Sequence, residues 1–243
     1  MNCFMLSAIL LYMVVVIETT VMYIDYTYDT TEPIDLSAVK DDPKYTITDA
    51  QVPSFSFESL YHHIDCSAHA ANENKPMYTA AMWQHLIQKY TEVTGHRISL
   101  EPQPQSTFYI GRSEGAGRGV FASRDIAKGE IIPFDATDIV VTFDDGELWK
   151  KLVVSLPRSM ACDVMEWSWT QDVFTEGNTK LCLSIGDGDS FLNNGDNDEG
   201  TVTIAPTNMT SLKWWAVKDI KEGEELAFDY EVFEPTRWDM FGL

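Results

Sequence analysis

The sequence predicts a mainly β chain with a few helices, an α+β domain preceded by a helical extension. Three observations carry this. From residue 107 onward, short apolar runs (FYIG, GVFA, EIIPF, DIVVTF) are separated by Gly and Asp turns, as short strands are. Residues 216–230, AVKDIKEGEELAFDY, place a Gly-centred turn at Glu222-Gly223 between two apolar stretches. Upstream, residues 76–94 follow a helical period instead of strand alternation.

At 243 residues and 44% hydrophobic, the chain can bury one main core and carry an extension. Its 38 acidic against 17 basic residues give a formal net charge of −21. That excess repels a phosphate backbone and excludes nucleic acid as the main ligand, while suiting a basic protein partner.

Residues 1–17 hold no charged side chain, and CFMLSAILLYMVVVI is continuously apolar. The run is short for a membrane span and close to a signal-peptide core. Residues 1–22 are therefore expected to act as a signal peptide or an uncleaved signal-anchor, giving a secreted or N-terminally anchored protein. Asn208-Met209-Thr210 is a glycosylation sequon. The cysteines are Cys3, Cys66, Cys162 and Cys182. If Cys3 leaves with a signal peptide, one disulfide at most can form and one thiol is left over.

Residues 25–57 are acidic and punctuated by Thr and Pro, which predicts an extended or partly disordered arm. HHIDCSAH follows, with His62, His63, Asp65, Cys66 and His69. These are metal-competent types, yet no second cluster completes a ligand set, so a polar loop and no metal are expected. Trp83, Leu86, Ile87, Tyr90 and Val93 then fall at helical spacing, with Asn74 as a cap ahead of Pro76 and Gly95 as a stop. Arm and helix make up residues 23–104, and the main domain residues 105–243.

Within that domain Leu148, Leu152 and Leu156 predict a helix ending at Pro157, with a second short helix through Met165. WSWTQDVF and TKLCLSI, joined through Glu176-Gly177-Asn178, read as a hairpin. In the last strand Leu226, Phe228 and Tyr230 share one face, with Ala227 and Asp229 on the other. RDIAKGEII at 124–132 is a shorter echo of residues 217–226.

Three segments carry candidate chemistry. In SEGAGRGVFA, Gly115, Gly117 and Gly119 lie ahead of a strand and let the backbone approach a ligand. No helix follows, so this is not a dinucleotide fingerprint. In FLNNGDNDEG, Asn193 and Asn194 follow an apolar pair; Asp196 and Asp198 invite a calcium-loop reading, but the Gly and the distant bidentate Glu of an EF-hand are misplaced. The third is the stretch closing on Tyr230.

GRGVFA with DIxxGEII, then FLNN, then AVKDIxxGEELAFDY resembles, in this order, the SET-domain family of protein methyltransferases, over about residues 107–230. The resemblance implies small curved sheets with a knot-like C-terminal crossing. It also implies an S-adenosylmethionine pocket on one face and a lysine channel on the other. Carried over by motif, Arg118, Gly119 and Val120 would contact the cofactor, Asn193 and Asn194 would hold its amine and adenine ends, and Tyr230 would be the catalytic tyrosine. Phe228 matches the position that limits how many methyls the lysine accepts. Trp238, with Phe233 and Phe241, could close the lysine channel or the adenine pocket. The family's middle motif, Arg-Phe-x-Asn-His-Ser, here reads Ser190-Phe191-Leu192-Asn193-Asn194-Gly195. The expected function is protein-lysine N-methyltransferase, with a catalytically silent SET-like binding module as the alternative.

Overall fold

The computed structural model describes residues 34–98, 107–134, 138–172, 177–196, 200, 202–206, 213–232 and 237–243. The apolar N-terminal run, Cys3, Asp198, the sequon and Phe233 lie outside them. No described helix is long and apolar enough to cross a membrane.

Helix α1 (Phe57–Ile64) starts from a reciprocal cap, in which Ser59 N–H donates to Ser56 Oγ and Ser56 N–H donates to Ser59 Oγ. Asp65, in the left-handed region at φ 64°, breaks it from α2 (Cys66–Ala70). The stretch expected as a polar loop is thus helical. His62, His63 and Asp65 are exposed, while Leu60, Ile64, Cys66 and His69 are buried. Helix α3 (Ala80–Thr94) is capped by Thr79 Oγ1 rather than by Asn74, and it stops at Gly95 as the sequence predicts.

Three small sheets follow. The first orders β1 (Phe108–Gly111), β2 (Gly119–Ala122), β10 and β7; the second β3 (Ile131–Ile132), β9 and β8; the third β4 (Asp138–Phe143), β6 and β5. Between β4 and β5 come α4 (Gly146–Val154) and α5 (Arg158–Glu166), then the predicted hairpin of β5 (Ser168–Asp172) and β6 (Thr179–Gly186). The chain closes with β7 (Asn193–Asn194), β8 (Ile204–Pro206), β9 (Trp214–Ala216) and β10 (Glu225–Phe228). The result is the predicted mixture of small sheets with a few helices.

The described part of the arm is docked on this frame. Tyr45 Oη donates to the carbonyls of Val153 and Leu156 at 3.0 and 2.7 Å. Asp42 accepts from both Ser159 N–H and Ser159 Oγ at 2.7 Å, capping α5, whose own cap position is occupied by Pro157. A disulfide between Cys66 and Cys162 joins α2 to α5, and Cys182 is a buried free thiol.

The two echoed turns pair with one another. Ile126 and Ile220 exchange backbone hydrogen bonds, both 2.9 Å. Asp125 Oδ1 accepts from Glu222 N–H at 3.0 Å, and Asp219 Oδ1 accepts from Lys128 N–H at 2.9 Å. Gly129 N–H donates to Ala216 O while Gly223 N–H donates to Ala122 O, each 2.8 Å. The repeat in the sequence is therefore a local pseudo-two-fold, which lays β10 against β2 and β9 against β3.

One expectation at the end of this unit changes. Strand β10 ends at Phe228, and Tyr230 begins a 3-10 turn, Tyr230–Val232. Leu226, Ala227 and Phe228 are all buried, so both faces of β10 are covered, while its edges pair with β2 and β7 and Ala227 N–H donates to Thr203 Oγ1. A strand covered on both faces loses the two-face alternation read from its sequence. Tyr230 is oriented by the turn.

Candidate active site

Strands β10 and β7 pair in parallel, with Ala227 opposite Asn193 and Phe228 opposite Asn194. This pairing brings the middle motif beside the C-terminal one. On the other edge of β10, Glu225 and Leu226 face Phe121 and Val120 of β2, so the glycine segment arrives at the same place.

At that junction a closed set of hydrogen bonds surrounds Gly119. Asn193 Nδ2 donates to Arg118 O and to Glu225 Oε1, both at 2.7 Å, and Ser113 Oγ donates to Glu225 Oε2 at 2.9 Å. A Cβ on Gly119 would collide with Glu225 Oε1 and stand 3.0 Å from Asn193 Nδ2. Glycine is required here for close approach, not for a special backbone angle.

Arg118 turns its guanidinium inward. It makes a bidentate pair with the fully buried Asp163, Nη2 to Oδ1 at 2.5 Å and Nη1 to Oδ2 at 3.0 Å. It also donates to Pro76 O at 3.0 Å and lies over the rings of Tyr78, Trp167 and Phe191. His69 Nε2 lies 2.7 Å from Asp163 Oδ1. Burial pushes the Asp163 carboxyl up, but Arg118 and His69 outweigh it and hold the group below the usual carboxylate range.

Tyr230 is fixed at both ends. Its backbone N–H donates to Asn194 Oδ1 at 2.8 Å, and its hydroxyl donates to Leu192 O at 2.6 Å. The residue keeps 48% of its surface exposed, while its hydroxyl end is partly buried. Burial pushes that hydroxyl up to about 12, so it is a neutral phenol at physiological pH. The Phe228 ring lies 4.7 Å from the Tyr230 ring and packs edge-on against Trp214, also at 4.7 Å. Gly195 N–H donates to Phe228 O at 2.8 Å.

Of the residues singled out from sequence, Arg118, Gly119, Asn193, Asn194, Phe228 and Tyr230 converge. Val120 lies in β2 with its side chain fully buried, leaving only its backbone for a ligand. Trp238 falls elsewhere: it stacks on Phe57 at 4.2 Å, with Trp149 5.9 Å away, in an aromatic group between α1 and α4. Glu225, Ser113 and Asp163 were not anticipated, and His69 stood out only as a metal-competent type. Asp163 left a signal, a lone charge inside the apolar run MACDVM. Glu225 left none, since GEEL reads as a solvated turn.

A family model described as SET domain matches residues 117–231. These residues are a SET domain. No curated protein matches the chain at a significant level. Among solved structures, a candidate histone methyltransferase of Plasmodium falciparum is 24% identical over 52% of this chain and 95% of its own, at a TM-score of 0.31. A chain of the Chaetomium thermophilum polycomb repressive complex 2 is 23% identical over 51% of this chain, at a TM-score of 0.34; the match spans 15% of that protein. The methyltransferase domain of human PR domain-containing protein 2 is 13% identical over 60% of this chain and 81% of its own, at a TM-score of 0.35. Likenesses this distant add nothing about activity, and the family match carries the assignment.

The donor set of the SET domain fits S-adenosylmethionine. Asn193 commits its Nδ2 internally, which leaves Oδ1 as an acceptor suited to an ammonium group. Asn194 commits Oδ1 to Tyr230 and keeps Nδ2 as a donor on an exposed residue. Asn194, which stands where the family's middle motif has His, thus makes a tie to the tyrosine.

Proposed function

We propose that this SET domain is a protein-lysine N-methyltransferase that uses S-adenosylmethionine. The reading rests on one observation above the others: Tyr230 is held at both ends, by Asn194 and Leu192, beside the glycine segment and Asn193. Arg118 through its backbone, Gly119, Val120, Asn193 and Asn194 would hold the cofactor, which supplies an electrophilic methyl on a sulfonium.

The chain's own residues then have three tasks. Tyr230, a neutral phenol whose proton is committed to Leu192 O, keeps oxygen lone pairs with which to accept from and orient a lysine amine. Phe228 walls the site with a ring that cannot hydrogen-bond an amine or a water, which favours addition of more than one methyl. The sheet junction supplies alignment, the main contribution open to a protein in an in-line displacement. The lysine must be neutral to attack, which from an ordinary pKa of ~10.4 costs about 4–5 kcal/mol at pH 7.

The net charge of −21 favours a basic protein or peptide as substrate. Entry into the secretory pathway, through residues 1–22, is consistent with the buried Cys66–Cys162 disulfide, a bond that persists in oxidising compartments. A catalytically silent module is the competing reading, favoured by the altered motif at Asn194 and Gly195. Methylation of a basic peptide by the unaltered chain separates them; in Tyr230→Phe, cofactor binding should then persist while that methylation falls by about a hundredfold or more. Equal methylation by the variant would remove Tyr230 from its catalytic role.

A further inference from the structure

The glycine segment is held by residues that lie outside the SET match. Gly117 adopts φ 80°, and a Cβ there would stand 3.0 Å from Asn72 O and 3.1 Å from Glu73 O. The backbone of residues 72–73 therefore lies directly against the turn that leads into Arg118 and Gly119. Two arginines bind the next carbonyls of the same segment. Arg112 Nη1 reaches Lys75 O at 2.6 Å, Gly117 O at 3.3 Å and Glu73 O at 3.4 Å, bridging the two segments. Arg118 Nη1 donates to Pro76 O at 3.0 Å.

The far end of this segment is anchored too. The Cys66–Cys162 disulfide fixes α2 to α5, and Arg158 donates to Ile64 O at 2.9 Å and Asp65 O at 2.5 Å. Helix α5 carries Asp163, which receives Arg118. Lys75, whose carbonyl Arg112 binds, places its own Nζ 3.4 Å from Glu166 Oε2 at the end of the same helix. Residues 64–76 thus run from one anchor on α5 to another on the glycine turn, and Arg112, itself exposed, is the clasp between extension and SET domain.

We propose that residues 72–76 of the N-terminal extension are a working part of the cofactor site, and that Arg112 is the positioning residue that presses them onto the glycine turn. Without these four arginine–carbonyl contacts the turn, with Gly115 and Gly117 both at positive φ, would be free to sample many conformations. Ordering it in advance spares the cofactor that entropic cost on binding. The proposal rests on the cofactor reading above, and it makes the extension necessary for binding even though the family match begins only at residue 117.

Arg112→Ala in the full, disulfide-intact chain tests this. Two quantities are compared with the unaltered protein: S-adenosylmethionine affinity by calorimetry, and amide exchange over residues 113–119 by mass spectrometry. Affinity should fall about tenfold or more, and protection should be lost at residues 113–119 but not in β4–β6. Turnover at saturating cofactor should be unchanged, a KM effect that general loosening would not produce. Arg124→Ala, on the outer turn, should alter none of these. Unaltered affinity and exchange in Arg112→Ala would overturn the proposal. If the unaltered chain binds no cofactor, the methyltransferase reading itself fails. Exchange then still decides the clasp, with lost protection upholding it and unchanged protection overturning it.

Discussion

The side-chain oxygen of Asn194 accepts a hydrogen bond from the backbone N–H of Tyr230 at 2.8 Å. The residue that departs from the family's middle motif is thus the one that tethers the proposed catalytic tyrosine, at the point where β7 runs parallel to β10.

Asn194→Ala removes that tether. A bond of this kind contributes roughly 1 kcal/mol, so the midpoint should fall by about 2–4 °C. Methylation should drop more than stability does, because Tyr230 loses its orientation. Asn194→Asp keeps the acceptor and should keep the midpoint. Thermal denaturation with a methylation assay on the same samples checks both.

Gly119→Ala forces a methyl against Glu225 Oε1. A flexible carboxylate could ordinarily swing away, but this one is held by Ser113 and Asn193. The variant should lose roughly 1–3 kcal/mol by chemical denaturation, and cofactor affinity with it. Wild-type affinity would mean that the hydrogen-bonded ring around Gly119 is not needed.

Reduction should weaken the fold considerably. The Cys66–Cys162 bond closes a loop of sequence separation 96, a length for which disulfides contribute about 2–5 kcal/mol. Cys182 should stay silent to thiol reagents in the native protein, since it is buried and burial pushes its thiol up to about 12. The check is a thiol titration before and after denaturation, with thermal scans in reductant.

Acid should first stabilise and then unfold the protein. Burial raises the carboxyls of Glu166, Asp187 and Asp189. Such groups bind protons more readily when folded, so stability is lost as pH rises from the ordinary carboxylate range, ~4, through their raised values. Asp163, held low by Arg118 and His69 against its burial, acts the other way: its contribution is present above ~4 and is lost as pH falls through its depressed value. Midpoints measured from pH 8 downward should rise into the mildly acid range and fall again once pH drops below the ordinary carboxylate range, ~4.

Much of this was legible in the residues themselves. The strands, the α4–α5 pair and the β5–β6 hairpin followed from apolar spacing and turn residues, which act locally. The echo of RDIAKGEII in residues 217–226 was visible, but its pairing was not, because two similar turns say nothing about meeting face to face. The place of Tyr230 was misread for the same reason. Alternation presumes one wet face, and Leu226, Ala227 and Phe228 are buried on both. Trp238 looked like a channel residue by its position after Tyr230, yet Phe57 takes its ring. The Arg118–Asp163–His69 cluster joins residues 45 and 94 positions apart, beyond the reach of any local pattern.

The central claim is that this SET domain binds S-adenosylmethionine at the junction of β2, β7 and β10. Calorimetric titration of the disulfide-intact protein tests it most directly. The account predicts saturable binding at one site per chain, weakened by Gly119→Ala and retained by Tyr230→Phe. Absence of binding heat together with an unshifted melting midpoint at saturating cofactor would contradict it.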